Sequence, residues 1–183
     1  MPKLIIPDAL YLLILMWAVQ GAQSLLGLEL GSYGIMPRTA EGLWQIMLAP
    51  WIHHGFWHLL GNSVPFLLLG WLIQSKGRLL FWEVTLLLVI VGGLGTWSFG
   101  STAYHAGASG VVFGYWAYLL ADAYYARSAK NIILATVTLG LYGGMIIGLA
   151  DIRPHISWIG HASGMVAGIL VAKIANGAKA KNT

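Results

Sequence analysis

Six long stretches dominated by apolar residues recur along the chain, at Ala9–Leu26, His58–Gln74, Leu79–Thr96, Ser109–Ala126, Ile132–Leu149 and Ile156–Ile174. A helix rises about 1.5 Å per residue, so each is long enough to cross most of a hydrocarbon layer about 30 Å thick. The runs are continuous and lack the in-out alternation of barrel strands, which predicts helices. Composition agrees: with 58% of residues apolar and 9% charged, a water-soluble globule, a disordered chain and a coiled coil are excluded. Nine Trp and eight Tyr fit anchoring at membrane interfaces, and 24 Gly fit close helix approach. The predicted fold class is an all-α polytopic membrane protein, a single six-transmembrane-helix domain over residues 1–183.

The placement of charge sets the expected orientation. Lys3, Lys76, Arg78, Arg127, Lys130, Lys173, Lys179 and Lys181 fall on one side of this topology, and only Arg38 and Arg153 on the other. The basic-rich side is expected to be cytoplasmic, with both termini there. The net charge of +4 is spread thinly between apolar runs, so no nucleic-acid partner is expected; the lipid bilayer is. Lys3 before an apolar run resembles a signal peptide, but five further spans follow and it is read as a retained anchor. The long first loop, Glu29–Trp57, lies on the outer side. Its Trp44, Trp51, Phe56 and Trp57 fit either partial burial in the interface or an ordinary connection. Glycines spaced by four, Gly110 and Gly114, then Gly140, Gly144 and Gly148, then Gly160, Gly164 and Gly168, mark helix faces where backbones can touch.

Polar groups are costly inside hydrocarbon, so their depth is informative. His58 and Asn62 open the second span from the outer side, Ser109 opens the fourth, and His161 lies one to two turns into the sixth. The topology brings all four to one layer beneath the outer face. Ser109 follows a loop and opens a helix, where unpaired N–H groups and the helix dipole favour developing negative charge. Taken alone, it reads as an N-cap. His161 taken alone reads as a packed, hydrogen-bonded histidine, and a serine at matching depth turns it into a candidate base. Ser163 is about 200° around the helix from it and reads as a small packing residue. His58 and Asn62, four apart, share a helix face as oxyanion donors or as an interhelical pair. Glu83 and Asp122 lie at the far ends of their spans, Glu29 and Glu41 in the long loop, and Asp151 beside Arg153 as a solvated pair. A Ser109–His161 dyad is therefore expected. His53, His54 and His58 lack the acid of a zinc-peptidase motif, so no metal and no cofactor is expected. His105 and His155 read as solvated or capping residues at the rim, and Cys chemistry is excluded because the chain has no cysteine.

His58-Leu-Leu-Gly-Asn62, Gly107-Ala-Ser109-Gly110 and Gly160-His161-Ala-Ser-Gly164 with Gly168, in this order and topology, resemble the rhomboid family of intramembrane serine proteases. The resemblance covers nearly the whole chain, as the minimal six-helix bacterial-type core, and implies a bacterial inner-membrane location. It implies a serine endopeptidase that cuts transmembrane-protein substrates in or near their membrane helices, from a site opening to the outer side. Ser109 would be nucleophile, His161 general base and acid, and His58, Asn62 and the Ser109 N–H the oxyanion hole. Gly107, Gly110, Gly164 and Gly168 would support the site. Phe113 matches an aromatic that packs on the imidazole, where tyrosine also occurs in the family. Trp44-Gln45 stands where many members carry Trp-Arg, a departure that bears on the loop rather than on the chemistry. Substrate would enter sideways between the second and fifth spans, helped by glycines in the fifth. Two rival readings are a pseudoprotease that binds membrane helices uncut and a small transporter or channel. Intact Ser109 and His161 weigh against the first. Polar residues gathered at one end weigh against the second. No feature assigns an oligomeric state.

Overall fold

The first apolar stretch forms α1 (Asp8–Leu26), which starts on Pro7 with an acid in its first turn and ends where Gly27 turns left-handed, its N–H bonded to Gln23 O. A computed structural model gives this chain's structure and describes residues 7–150 and 157–180. Lys3, Asp151, Arg153, Pro154, His155, Ile156 and Lys181 lie outside the described residues.

After α1 the connection is not an irregular loop. It holds two short 3-10 turns, Leu30–Tyr33 and Ala49–Trp51, and the short α2 (Ala40–Gln45), capped by Thr39 Oγ1 accepting the Gly42 N–H at 3.0 Å. There follow α3 (Phe56–Gln74), α4 (Arg78–Leu87), a π-helical turn over Leu88–Gly92, and α5 (Gly93–Phe99), which continues the line of α4. The remaining helices are α6 (Ser109–Ala126), α7 (Ala129–Tyr142) and α8 (Trp158–Ala180).

Five helical segments among the described residues are long and apolar enough to cross a membrane: Asp8–Leu26, Phe56–Gln74, Arg78–Phe99, Ala129–Ile147 and Trp158–Gly177. The chain is an integral membrane protein. Its fourth expected span, α6, is not among the five, and packing explains why. Tyr115, Trp116, Tyr118 and Asp122 on α6 are all buried, so this helix faces protein rather than lipid and its sequence need not be strongly apolar. The Tyr115 ring lies 5.5 Å from Phe66 on α3 and 6.1 Å from Phe81 on α4. Its hydroxyl is 2.7 Å from Thr85 Oγ1, which satisfies both groups inside the core.

The most extensive helix contact joins α6 to α8. A Cβ at Gly164 would run into the Gly110 carbonyl, and one at Gly168 into the Gly114 carbonyl, so these glycines bring the two backbones together as the fourfold spacing predicts. The glycines of the fifth stretch behave differently. Gly140, Gly143 and Gly144 meet nothing within 4 Å, and at Gly143 the α-helical winding of α7 gives way to a 3-10 winding over Gly143–Ala150. Consecutive glycines have weak helix propensity, and open space beside Gly140, Gly143 and Gly144 leaves no contact at those positions to restore it. Ser163 lies against Gly95 on α5, a packing residue as expected.

One end of the bundle is tied by charge. Asp8 accepts from Arg78 Nε at 2.7 Å and from Trp82 Nε1 at 2.6 Å, while its own N–H donates to Gln74 Oε1. Lys76 pairs with Asp122, which also accepts from Asn176 Nδ2 at 3.0 Å, and Lys130 Nζ donates to Ser75 O at 2.7 Å. These contacts gather the start of α1, the α3–α4 turn, the end of α6, the start of α7 and the end of α8. The opposite end holds Ser109.

Candidate active site

Ser109 is the first residue of α6, where N–H groups have no intrahelical acceptor. Its Oγ lies 3.0 Å from His161 Nε2 on α8, within hydrogen-bond reach, so the structure brings together the two residues that sequence reasoning paired across 52 positions. Phe113, one turn after Ser109, stacks on the His161 ring with centroids 4.2 Å apart and planes 13° from parallel. That stack fixes the plane of the imidazole and, in place of tyrosine, offers no hydroxyl. The close α6–α8 contact through Gly110 and Gly164 is what permits this separation.

Gly107 is required on two counts. Its φ of +120° is disfavoured for side-chain-bearing residues, and a Cβ there would lie 2.7 Å from His58 Cε1. His58 thus sits directly against the loop that leads into Ser109. The His54 N–H donates to His58 Nδ1 in a long 3.4 Å bond, so in the neutral ring the proton sits on Nε2. Asn62, one turn along α3, is buried and donates one amide hydrogen to the His58 carbonyl at 3.1 Å. Ser109, His161, His58, Asn62 and Phe113 all line one cavity of about 1270 Å³. Trp57, Tyr104 and Trp158 also line it. Its size exceeds that of typical small-molecule pockets and fits an extended peptide segment.

No carboxylate among the described residues lines this cavity. Asp122 is thirteen residues along α6 from Ser109, about 20 Å on a helical rise, and is engaged by Lys76 and Asn176. Asp8 is bound at the same far end.

Residues to which sequence reasoning gave no part in the site hold it in shape. His53 Nε2 accepts the Ala108 N–H at 3.1 Å, and the Ala49 carbonyl accepts the Gly107 N–H at 2.9 Å, so the α1–α3 connection pins the loop immediately before Ser109. Burial, with His58 and His54 close by, pushes the His53 pKa down to about 3 and keeps its ring a neutral acceptor. His105, expected to be solvated or capping, is instead buried, with Ser101 O and Ser157 Oγ as partners. Ser157 in turn accepts the Gly160 N–H at 3.1 Å in the first turn of α8. A serine three residues before a helical glycine is a visible N-cap signal; the acceptor role of His53, toward an amide 55 residues away, leaves none. Gln45 is buried, its Nε2 donating to Ser32 O at 3.0 Å and its Oε1 accepting the Met36 N–H at 3.1 Å, and so it fastens the connection from within.

The family profile described as the Rhomboid domain matches residues 40–177, about three quarters of the chain. Uncharacterized proteins of Mycobacterium tuberculosis and Mycobacterium bovis are each 36% identical over 167 residues, covering 86% of this chain and 70% of theirs. An uncharacterized protein of Mycobacterium leprae is 34% identical over 168 residues, covering 86% of this chain and 66% of its own.

Proposed function

The chain belongs to the rhomboid family, a family of intramembrane proteases, and from that premise we propose that it is a serine endopeptidase in which Ser109 and His161 form the reacting pair. The observation that carries the reading is the 3.0 Å approach of Ser109 Oγ to His161 Nε2 inside a peptide-sized cavity. Ser109 Oγ attacks the scissile carbonyl while His161 Nε2 takes its proton, and the imidazolium then protonates the leaving amine. The oxyanion is met by the Ser109 N–H at the positive end of α6, by Asn62 Nδ2 and by His58 Nε2–H. Water, activated by the same imidazole, releases the acyl group from Ser109.

The substrate is a transmembrane helix, locally unwound to enter the cavity between α3 and α7. The sparse packing of α7, with exposed Ile132, Ile133, Val137, Leu139 and Leu141, supports entry on that side. In this reading α6 completes the set of six spans, shielded from lipid, and the end tied by Lys76, Arg78 and Lys130 is cytoplasmic, in a bacterial inner membrane. The site then opens outward, where water is at hand.

The test is cleavage of a panel of labelled membrane-helix substrates in liposomes, with labelling of Ser109 by a fluorophosphonate. Wild-type protein is expected to cut and to label, and Ser109→Ala and His161→Ala to do neither while keeping their thermal transitions. Normal turnover in either variant would remove the dyad.

A further inference from the structure

His105 has no role in the reaction just derived, yet both its ring nitrogens are engaged. Nε2 lies 3.0 Å from the Ser101 carbonyl, which can only accept, so this nitrogen carries the proton. Nδ1, 2.7 Å from Ser157 Oγ, therefore accepts from the hydroxyl. The Ser157 oxygen accepts the Gly160 N–H at 3.1 Å, and the Ser157 carbonyl accepts the His161 N–H at 3.1 Å. An unbroken run of directional bonds thus leads from the first turn of α8 through Ser157 and His105 to the loop four residues ahead of Ser109. The backbone of His105 also pairs with Ile35 in both directions, at 2.8 and 3.0 Å, which anchors it to the α1–α3 connection. Burial lowers the basicity of His105, against the Ser101 carbonyl and with Arg38 close by, and so favours the neutral tautomer that the run of bonds requires.

We propose that His105 is a positioning residue that, through Ser157, fixes the first turn of α8 against the loop presenting Ser109 and so holds the His161 imidazole on the Ser109 hydroxyl. The inference rests on the proteolytic reading above. Glycine contacts set how near α6 and α8 lie, but they are non-directional and leave α8 free to rotate about its axis by small amounts. A strut of hydrogen bonds from one flank removes that freedom. Small displacements matter here, because a misplacement of about 1 Å at a reacting pair costs on the order of a hundredfold in rate.

The experiment compares wild type, His105→Phe, His105→Gln, Ser157→Ala and the His105→Phe/Ser157→Ala double variant, all purified full-length in liposomes. It reads kcat and KM on one membrane-helix substrate, the rate of fluorophosphonate labelling of Ser109, and the thermal midpoint. His105→Phe and Ser157→Ala are each expected to lower kcat and the labelling rate by about tenfold to a hundredfold with KM nearly unchanged. The double variant should be no slower than the slower single, because both break one run of bonds. His105→Gln, which offers an N–H to Ser101 and an oxygen to Ser157, should recover most of the rate. Losses that multiply in the double variant, a rise in KM in place of a fall in kcat, or a wild-type kcat in Ser157→Ala would each overturn the inference. If His105→Phe does not fold, Ser157→Ala against His105→Gln decides it. A wild-type protein that neither cuts nor labels overturns the proteolytic reading and this inference with it, whereas an active wild type with an equally active His105→Phe overturns this inference alone.

Discussion

A hydroxyl and an imidazole 3.0 Å apart make a nucleophile only if the oxyanion they create is met, and the residues around Ser109 differ in how they would meet it. Asn62 is buried and keeps an amide hydrogen beyond the one given to the His58 carbonyl. Asn62→Ala is expected to lower kcat by about 10² to 10³ with KM little changed, read by steady-state cleavage; a wild-type kcat would take Asn62 out of the oxyanion hole. His53 acts one step back. Folded His53 takes a proton only near pH 3 and the unfolded chain near the ordinary 6.5, so between these values the unfolded state holds more protons. Stability contributed by the neutral ring is complete above about pH 6.5 and is lost as pH falls through that window, by up to about tenfold in the folding equilibrium per pH unit. His53→Leu should flatten that acid limb in thermal-unfolding measurements and, at neutral pH, cost about 1–3 kcal/mol for the unpaired Ala108 N–H. An unchanged acid limb would mean that another group titrates there. Ser109, His161, His58 and Asn62 were legible in sequence because hydropathy and charge place them at one depth. His53 was not, because its function is a single bond to a main-chain amide, and no residue type at position 108 advertises that.

Among the helices, the pair α6 and α8 decides whether the site exists at all. The spacing of Gly110, Gly114, Gly160, Gly164 and Gly168 reads directly as a close crossing, and the structure uses it as one. The same spacing at Gly140 and Gly144 leads to open space, since periodicity marks a face without naming what lies opposite. Gly164→Val would drive a side chain into the Gly110 backbone, and is expected to cost about 1–3 kcal/mol or more in stability and to abolish cleavage by separating Ser109 from His161. Gly140→Ala should instead be neutral or raise stability by about 0.5–1 kcal/mol, because it adds a helix former where nothing is touched. Thermal midpoints and turnover of the two variants check this, and equal effects would undo the distinction between the glycine sets. The π-helical turn at Leu88–Gly92 and the 3-10 winding after Tyr142 were outside the reach of hydropathy, which is blind to how a helix is wound. The burial of α6 was hidden for a related reason: its tyrosines lower its apolar character in the sequence yet become core when Phe66, Phe81 and Thr85 close around Tyr115.

Across the whole molecule the two ends are chemically opposed. One is bound by Asp8 with Arg78 and by Asp122 with Lys76, and the other carries the cavity with Ser109 and His161. From Ser109 to Ala126 the rise along α6 is about 26 Å, close to the thickness of a hydrocarbon core, so the two ends face different compartments if α6 crosses the membrane. Basic residues are retained on the cytoplasmic side, so the orientation proposed above puts the charged end inward and the cavity outward. The chain has no cysteine, so one introduced thiol reports one position without background. Thr102, exposed in the loop before α6, and Ala129, exposed at the start of α7, sit at opposite ends. In intact cells, Thr102→Cys is expected to react with a membrane-impermeant maleimide, and Ala129→Cys only after the membrane is permeabilised. Labelling in the reverse order would invert the molecule and place the cavity on the cytoplasmic side. Equal labelling of both positions in sealed cells would mean that α6 does not separate two compartments, and the proposed entry of substrate helices from the bilayer would lose its geometry.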